Sequence, residues 1–338
     1  MEKRFKNGLV LGKFMPPHLG HLHLIDTAIE NCEMVTVMVC SLKNEPILGL
    51  GRYMWLVEIY IDNDSVDIIH CQDENPQKPE ECESTDIFYN NYWVPSVNSR
   101  IGNLDVVFTS EEYGDEFAKY LGIEHFLVDI DRKKFPISGT EVRNNPYKNW
   151  DFIPNEIKNY YTKRVVIMGP ESTGKSMLTK ELADHYKVAY VEEYGREYTT
   201  DVKAPKELEV DDFYTIAKGH DDIIFDKLVE TTDKLLIVDT EAITTKLFGE
   251  LYIDGFKDDR LEDIIKYQKF DLYLLLDIDV PWVDDGTRDF PHLREKHMGM
   301  LKKELEGKGI EYQLITGDYK ERLIKSIQII DDLIGVNG

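Results

Sequence analysis

The segment Gly169-Pro170-Glu171-Ser172-Thr173-Gly174-Lys175-Ser176 constrains this chain more than any other. It satisfies the pattern GxxxxGK[ST] and stands between an apolar run, Val165 to Met168, and an amphipathic stretch. Glycines at these places let the backbone curl, so that successive N–H groups converge on phosphate oxygens while the helix N-terminus adds partial positive charge. The pattern therefore requires a strand, a phosphate-cradling turn and a helix in a row. Lys175 is expected to reach the β and γ phosphates of ATP, and Ser176 to offer its hydroxyl to Mg²⁺, the expected cofactor. Gly169, Glu171, Ser172, Thr173 and Gly174 complete that site.

Around this loop, apolar runs of strand length alternate with helical periodicity from residue 164 to residue 334. The predicted strands are 164–168, 188–191, 235–239, 271–277 and 311–315, and the predicted helices 175–186, 211–229, 258–268, 295–306 and 319–334. Such alternation implies a mostly parallel sheet covered on both faces, the P-loop NTPase type of α/β fold. Leu235 to Asp239 is an apolar strand ending in a carboxylate, the presentation of an acid toward the Mg²⁺ of a P-loop, though an Asp there also serves as a simple turn cap. Arg288 and Arg294 lie in a polar segment after the next strand, suited to a lid whose guanidinium groups neutralise phosphate charge; surface salt bridges are the alternative. Glu193, Tyr194 and Arg196 follow the second strand, where acceptor-binding groups of small-molecule kinases stand. Glu193 and Asp239 are both candidates for the general base.

The first half of the chain repeats the α/β alternation. Leu9 to Leu11 reads as a strand, Leu22, Ile25, Ala28 and Ile29 as a helix face, and Met34 to Val39 as the next strand. Strands are predicted again at 105–108 and 125–128 around a helix at 113–121, with residues 72–92 as a long loop. Between Gly12 and Gly20, His18 and His21 lie three apart at the opening of a helix, where imidazoles beside free N–H groups can hold triphosphate oxygens. Further on, Ser138 and Thr140 can cap a short helix, with Arg143 one turn later able to reach a leaving pyrophosphate. The regular pattern lapses near Pro146 and Pro154, which divides the chain into 1–161, a Rossmann-like domain, and 162–338.

Together the two N-terminal motifs resemble the HxGH and ISxTxxR signatures of nucleotidyltransferases. With the C-terminal P-loop domain, the whole chain resembles the bifunctional nicotinamide-nucleotide adenylyltransferase and ribosylnicotinamide kinase family. The likeness runs through GKFMPPHLGH, Arg52 to Leu56, Ser110 to Gly114, PISGTEVR, GPESTGKS, EYGRE at 193–197 and VDDGTRDFP at 283–291. The resemblance implies that one domain phosphorylates nicotinamide riboside with ATP, and that the other joins the mononucleotide NMN to AMP, giving NAD. It further implies ATP binding by Gly12, Lys13, Phe14, His18, His21, Ser110, Ser138, Thr140 and Arg143, and NMN binding by Arg52 and Trp93. Trp93 would stack on the pyridinium, unless it is a core residue. Asp318 and Tyr319 would lie near the kinase adenine. Another phosphate ester as adenylyl acceptor and an ATP-sensing regulator are the competing readings.

The formal charge of −24 argues against nonspecific binding to nucleic acid or an anionic membrane. The first motif begins at Gly12, leaving no room before it for the helix-turn-helix domain some family members carry, so no DNA binding is expected. No apolar run is long enough to span a bilayer, and four cysteines without CxxC pairing suggest reduced thiols, so a cytoplasmic enzyme is expected. Oligomeric state is left open, a homo-oligomer included.

Overall fold

The structure, a computed structural model, describes residues 3–204, 207–283 and 293–335. The chain divides into two compact units, Met1–Ile157 and Lys158–Gly338. Each is built on a five-stranded sheet whose strand pairs are all parallel.

In the first unit β1 (Phe5–Gly12), β2 (Cys32–Cys40), β3 (Val66–Cys71), β4 (Val106–Thr109) and β5 (Glu124–Leu127) lie in the order β3-β2-β1-β4-β5. The strand sequences are apolar on both faces because helices cover both. Val10, Val35, Val37, Val106 and Phe108 pack into one core, and Leu9, Leu11, Met38 and Val107 into another on the opposite side. Full burial of each such side chain contributes about 1.5–3 kcal/mol. The order reverses between β1 and β4, and the carboxyl ends of these two strands open a crevice of the kind that binds ligands in doubly wound sheets.

The expected loop at 72–92 is only partly a loop. Residues 85–98 form a continuous helical segment with one wide π turn, Phe88–Trp93, and Phe88, Tyr89 and Val97 are buried. Polar neighbours and Pro95 mask this apolar face in the sequence. Strand β3 was also not predicted. Its Val66, Ile68 and Ile69 stay only partly buried at the sheet edge, and Asp67 and His70 break the apolar run.

In the second unit β6 (Lys163–Met168), β7 (Tyr190–Val191), β8 (Leu235–Asp239), β9 (Leu272–Leu276) and β10 (Gln313–Ile315) take the order β10-β9-β6-β8-β7. Helices Lys175–Tyr186, Val210–Glu230, Asp259–Tyr267, Arg294–Gly307 and Tyr319–Ile334 fall where periodicity predicts them. Two more, Tyr194–Asp201 and Ala242–Tyr252, were not predicted. The latter buries Ala242, Ile243 and Leu247 together with Thr244 and Thr245, and starts at Glu241, whose buried carboxylate accepts from the N–H groups of Ile243 and Thr244.

One fully buried cation fixes the central turn. Arg322 donates to the carbonyls of Thr173, Asp277 and Gly317 at 2.7, 2.9 and 2.8 Å and pairs with Asp279. It therefore ties the last helix and the end of β9 to the phosphate loop. Replacing it with methionine takes a donor from three carbonyls, that of Thr173 buried, and leaves Asp279 with the N–H of Gly317. Arg322→Met is expected to cost about 3–5 kcal/mol, read as a lower urea midpoint, whereas Lys320→Met on the exposed face should change little.

Candidate functional site

Two cavities hold most of the residues singled out in the sequence, one in each unit. In the second unit the loop after β6 bends through positive φ at Gly169 (148°), Ser172 (58°) and Gly174 (88°). A Cβ at Gly174 would stand 2.7 Å from the ring of Tyr319, so only glycine lets that ring lie on the turn. Gly174→Ala is expected to displace Tyr319 and raise the KM for ATP about tenfold or more, with the other unit's activity unchanged. Lys175, largely buried, donates to the carbonyl of Pro170 at 3.2 Å, and Thr173 Oγ1 donates to the same carbonyl at 2.8 Å.

A cavity of about 320 Å³ opens in front of this loop, bounded by Glu171 to Met177, Glu193, Arg196, Thr240 and Tyr319. Asp239 lies beneath it beside Ser176, 1% exposed. Burial and then the charge of Glu193 push its carboxyl up to about 6, against the pull of Lys175, Ser176 and Arg196. Arg196 reaches Ser176 Oγ at 3.4 Å and Glu193 at 3.7 Å. The loop, an acid behind its serine and a second carboxylate facing the cavity thus come together.

Several expected residues take other places. Tyr194 packs on Gly219 and does not line the cavity. Asp318 caps the last helix through the N–H of Glu321 at 2.9 Å. Arg294 donates to the carbonyls of Val280 and Ser172 at 3.0 and 3.3 Å, holding the loop from behind. Gly169 shapes the turn without lining the cavity. Arg288 lies outside the described residues. The far wall, missed in the sequence, is Leu208, Phe213, Ile216, His220, Thr245, Phe248 and Tyr252. Four of these come from Val210–Glu230 or its approach and three from the unpredicted helix Ala242–Tyr252.

In the first unit a cavity of about 670 Å³ lies at the carboxyl ends of β1 and β4. Gly12, Lys13, Phe14, His18, His21, Trp93, Ser110, Ser138, Thr140 and Arg143 all line it. His18 caps the helix Leu19–Asn31, its Nδ1 accepting from the His21 N–H at 3.4 Å, and the two rings stack at 3.7 Å. Gly139, whose Cβ would stand 2.7 Å from the Met15 carbonyl, lets the segment after β5 close on the β1 turn. Arg143 then donates to that carbonyl and to Thr140 Oγ1 at 3.0 Å. Trp93 is half-buried, its Nε1 donating to the Pro76 carbonyl at 3.0 Å, with the ring against Phe88.

Arg52 requires correction as a ligand-binding residue. It is fully buried and does not line the cavity; it pairs with Glu45 and donates to the carbonyls of Lys13 and Cys40. It therefore props the turn after β1 from below. Arg132, not singled out in the sequence, lines the cavity in a left-handed conformation, φ 51°. The basic stretch Arg132-Lys133-Lys134 after β5 was the available signal.

Burial and then Arg132 drive the His18 imidazole down to about 4, and burial, His18 and Arg132 drive His21 in the same direction. Folded pKa values below the unfolded 6.5 mean that this stabilisation is complete above pH 6.5 and is lost as pH falls toward 4. Stability should accordingly decline over that window, and less steeply in a His18→Gln/His21→Gln double variant, as read by thermal midpoints at each pH. An equal slope in both proteins would contradict it.

The fold and the two cavities define the class: a Rossmann-like nucleotidyltransferase domain followed by a P-loop kinase-type domain. Residues 164–322 match the family described as AAA domain. The chain is 30% identical over 347 aligned positions to the trifunctional NAD biosynthesis/regulator protein NadR of Escherichia coli (strain K12), covering 97% of this chain and 83% of that one. It is 26% identical to the nicotinamide-nucleotide adenylyltransferase of Pyrococcus furiosus over 168 residues, 46% of this chain and 82% of the other. A crystal structure of NadR protein in complex with NR shares the fold with a TM-score of 0.78 at 22% identity, covering 99% of this chain and 98% of that one. The chain belongs to the NadR family; it is a transferase of NAD biosynthesis.

Proposed function

We propose that the chain catalyses two successive steps of NAD salvage. The second unit transfers the γ-phosphoryl group of ATP to nicotinamide riboside, and the first transfers AMP from ATP to the resulting NMN, yielding NAD and pyrophosphate. The observation that carries this reading is that the P-loop residues and the two-histidine motif each line a separate cavity, in a chain of the NadR family.

In the kinase cavity the loop N–H groups and Lys175 hold the β and γ phosphates, and Tyr319 lies on the adenine side. Ser176 and the neighbouring Asp239 are the oxygen donors that would hold Mg²⁺. Bound there, the ion would neutralise charge on the β and γ oxygens. Asp239 is buried behind Ser176, whereas Glu193 faces the cavity, so Glu193 takes the proton of the attacking riboside hydroxyl. Arg196, exposed beside both groups, orients the acceptor.

In the adenylyltransferase cavity an oxygen of the NMN phosphate attacks the α-phosphorus of ATP in line, and the bond to the bridging oxygen breaks. The stacked imidazoles present ring N–H groups where the triphosphate's negative charge offsets the burial and Arg132 that keep them neutral. His21 Nδ1, buried with no hydrogen-bond partner among the described residues, is one such contact. Ser138, Thr140 and Arg143 receive the leaving pyrophosphate; Gly12, Lys13, Phe14 and Ser110 surround ATP. Trp93 stacks on the pyridinium, whose positive charge its ring face attracts.

The test is to incubate the protein with ATP, Mg²⁺ and nicotinamide riboside and to separate the products by chromatography. NMN followed by NAD is the expected result. Consumption of another nucleoside or phosphate ester, with neither product formed, would refute the substrate assignment.

A further inference from the structure

The helix Val210–Glu230 brings Phe213, Ile216 and His220 to one face, and all three line the cavity in front of the phosphate loop. Phe213 and Ile216 continue the apolar wall formed with Phe248 and Tyr252. His220 interrupts it. It is 3% exposed, and its Nε2 has no hydrogen-bond partner among the described residues. A buried polar atom left unpaired is costly, and native structures keep few such atoms without a reason.

We propose that His220 is a specificity-determining residue of the kinase, forming a hydrogen bond through its imidazole to an uncharged polar group of the nucleoside acceptor. The inference rests on the reading of this cavity as the riboside site. Its chemistry follows from the surroundings. Burial drives the imidazole down to about 4, so near neutral pH it carries no charge and offers one N–H donor and one acceptor nitrogen. That suits a pyridinium nucleoside, which a charged imidazolium would repel. The two sources of such a group are the carboxamide of the base and a hydroxyl of the ribose.

The experiment compares the parent chain with His220→Phe, which keeps a ring of similar size, and with His220→Asn and His220→Gln, which keep a hydrogen-bonding amide. kcat/KM is measured for nicotinamide riboside, for an analogue lacking the carboxamide, and for analogues lacking the 2′- or 3′-hydroxyl. The KM for ATP and the rate of adenylyl transfer serve as controls for the fold. His220→Phe is expected to lose about tenfold or more on nicotinamide riboside, with the KM for ATP unchanged. The loss should vanish on the one analogue that lacks the bonded group, and at least one amide variant should recover part of it. Should the phenylalanine variant fail to fold, the amide variants carry the same analogue comparison. Equal activity of His220→Phe and the parent chain, or the same loss on every analogue, overturns the inference while leaving the riboside kinase standing. A parent chain inactive on every pyridine riboside defeats both.

Discussion

Lys175→Ala is expected to lower riboside phosphorylation about a thousandfold or more while leaving adenylyl transfer to NMN within about twofold of the parent chain. Lys175 is largely buried at the start of its helix, with its ammonium at 3.2 Å from the Pro170 carbonyl inside the loop's own curl. In phosphoryl transfer the acceptor attacks while charge spreads over the transferred group, so a fixed cation at that point acts on the transition state more than on ground-state binding. The loss should therefore fall mainly on kcat. The variant should fold, because truncation removes a buried charge together with its long stem and leaves the loop's glycine geometry intact. Assaying each half-reaction with its own acceptor, riboside or mononucleotide, reads the two effects separately.

His21→Ala should produce the opposite pattern, with adenylyl transfer reduced about 10²- to 10³-fold and riboside phosphorylation retained. His21 stacks on His18, receives its helix position from the His18 cap, and keeps a buried ring nitrogen without a partner among the described residues. On the proposed reading, removing the ring deletes a donor to the triphosphate. It also removes the face on which His18 rests, so His21→Asn, which restores a hydrogen-bonding amide, should recover part of the rate. Loss of both activities in a folded His21→Ala protein would contradict two independent sites.

Much of this was legible in the sequence because the phosphate-binding turns are local. GPESTGKS carries its own turn and helix start, and the two histidines after Gly12 carry theirs; Glu171 to Ser176 line one cavity and His18 and His21 the other. What the sequence hid was set by long-range packing. Arg52 reads as a basic residue in a family motif, but its guanidinium is committed to Glu45 and two backbone carbonyls, a role visible only once β1, β2 and the turn between them are assembled. Tyr194, in the EYGRE motif, and Asp318, expected near adenine, likewise meet Gly219 and the next helix turn instead of the cavity. The far wall of this cavity was missed because most of its residues are apolar and belong to a core as readily as to a site. Phe213 and Phe256, for example, stack edge to face at 5.2 Å within the main core of the second unit, although Phe213 also lines the cavity. The segment 72–92 was misread because Phe88, Tyr89 and Trp93 form a helical face only together with Val97, beyond the stretch that reads as polar.

The central claim, two consecutive transfers at two separate sites of one chain, is tested most directly by complementation. NAD formation from nicotinamide riboside, ATP and Mg²⁺ is followed with Lys175→Ala alone, His21→Ala alone, and the two mixed in equal amounts. The prediction is that neither variant alone makes NAD at an appreciable rate. His21→Ala accumulates the mononucleotide, and the mixture forms NAD after a lag while released mononucleotide builds up for the other protein's intact site. NAD production from riboside by Lys175→Ala alone, or a mixture that stays inactive although each folded variant performs its own half-reaction on added substrate, would contradict the account.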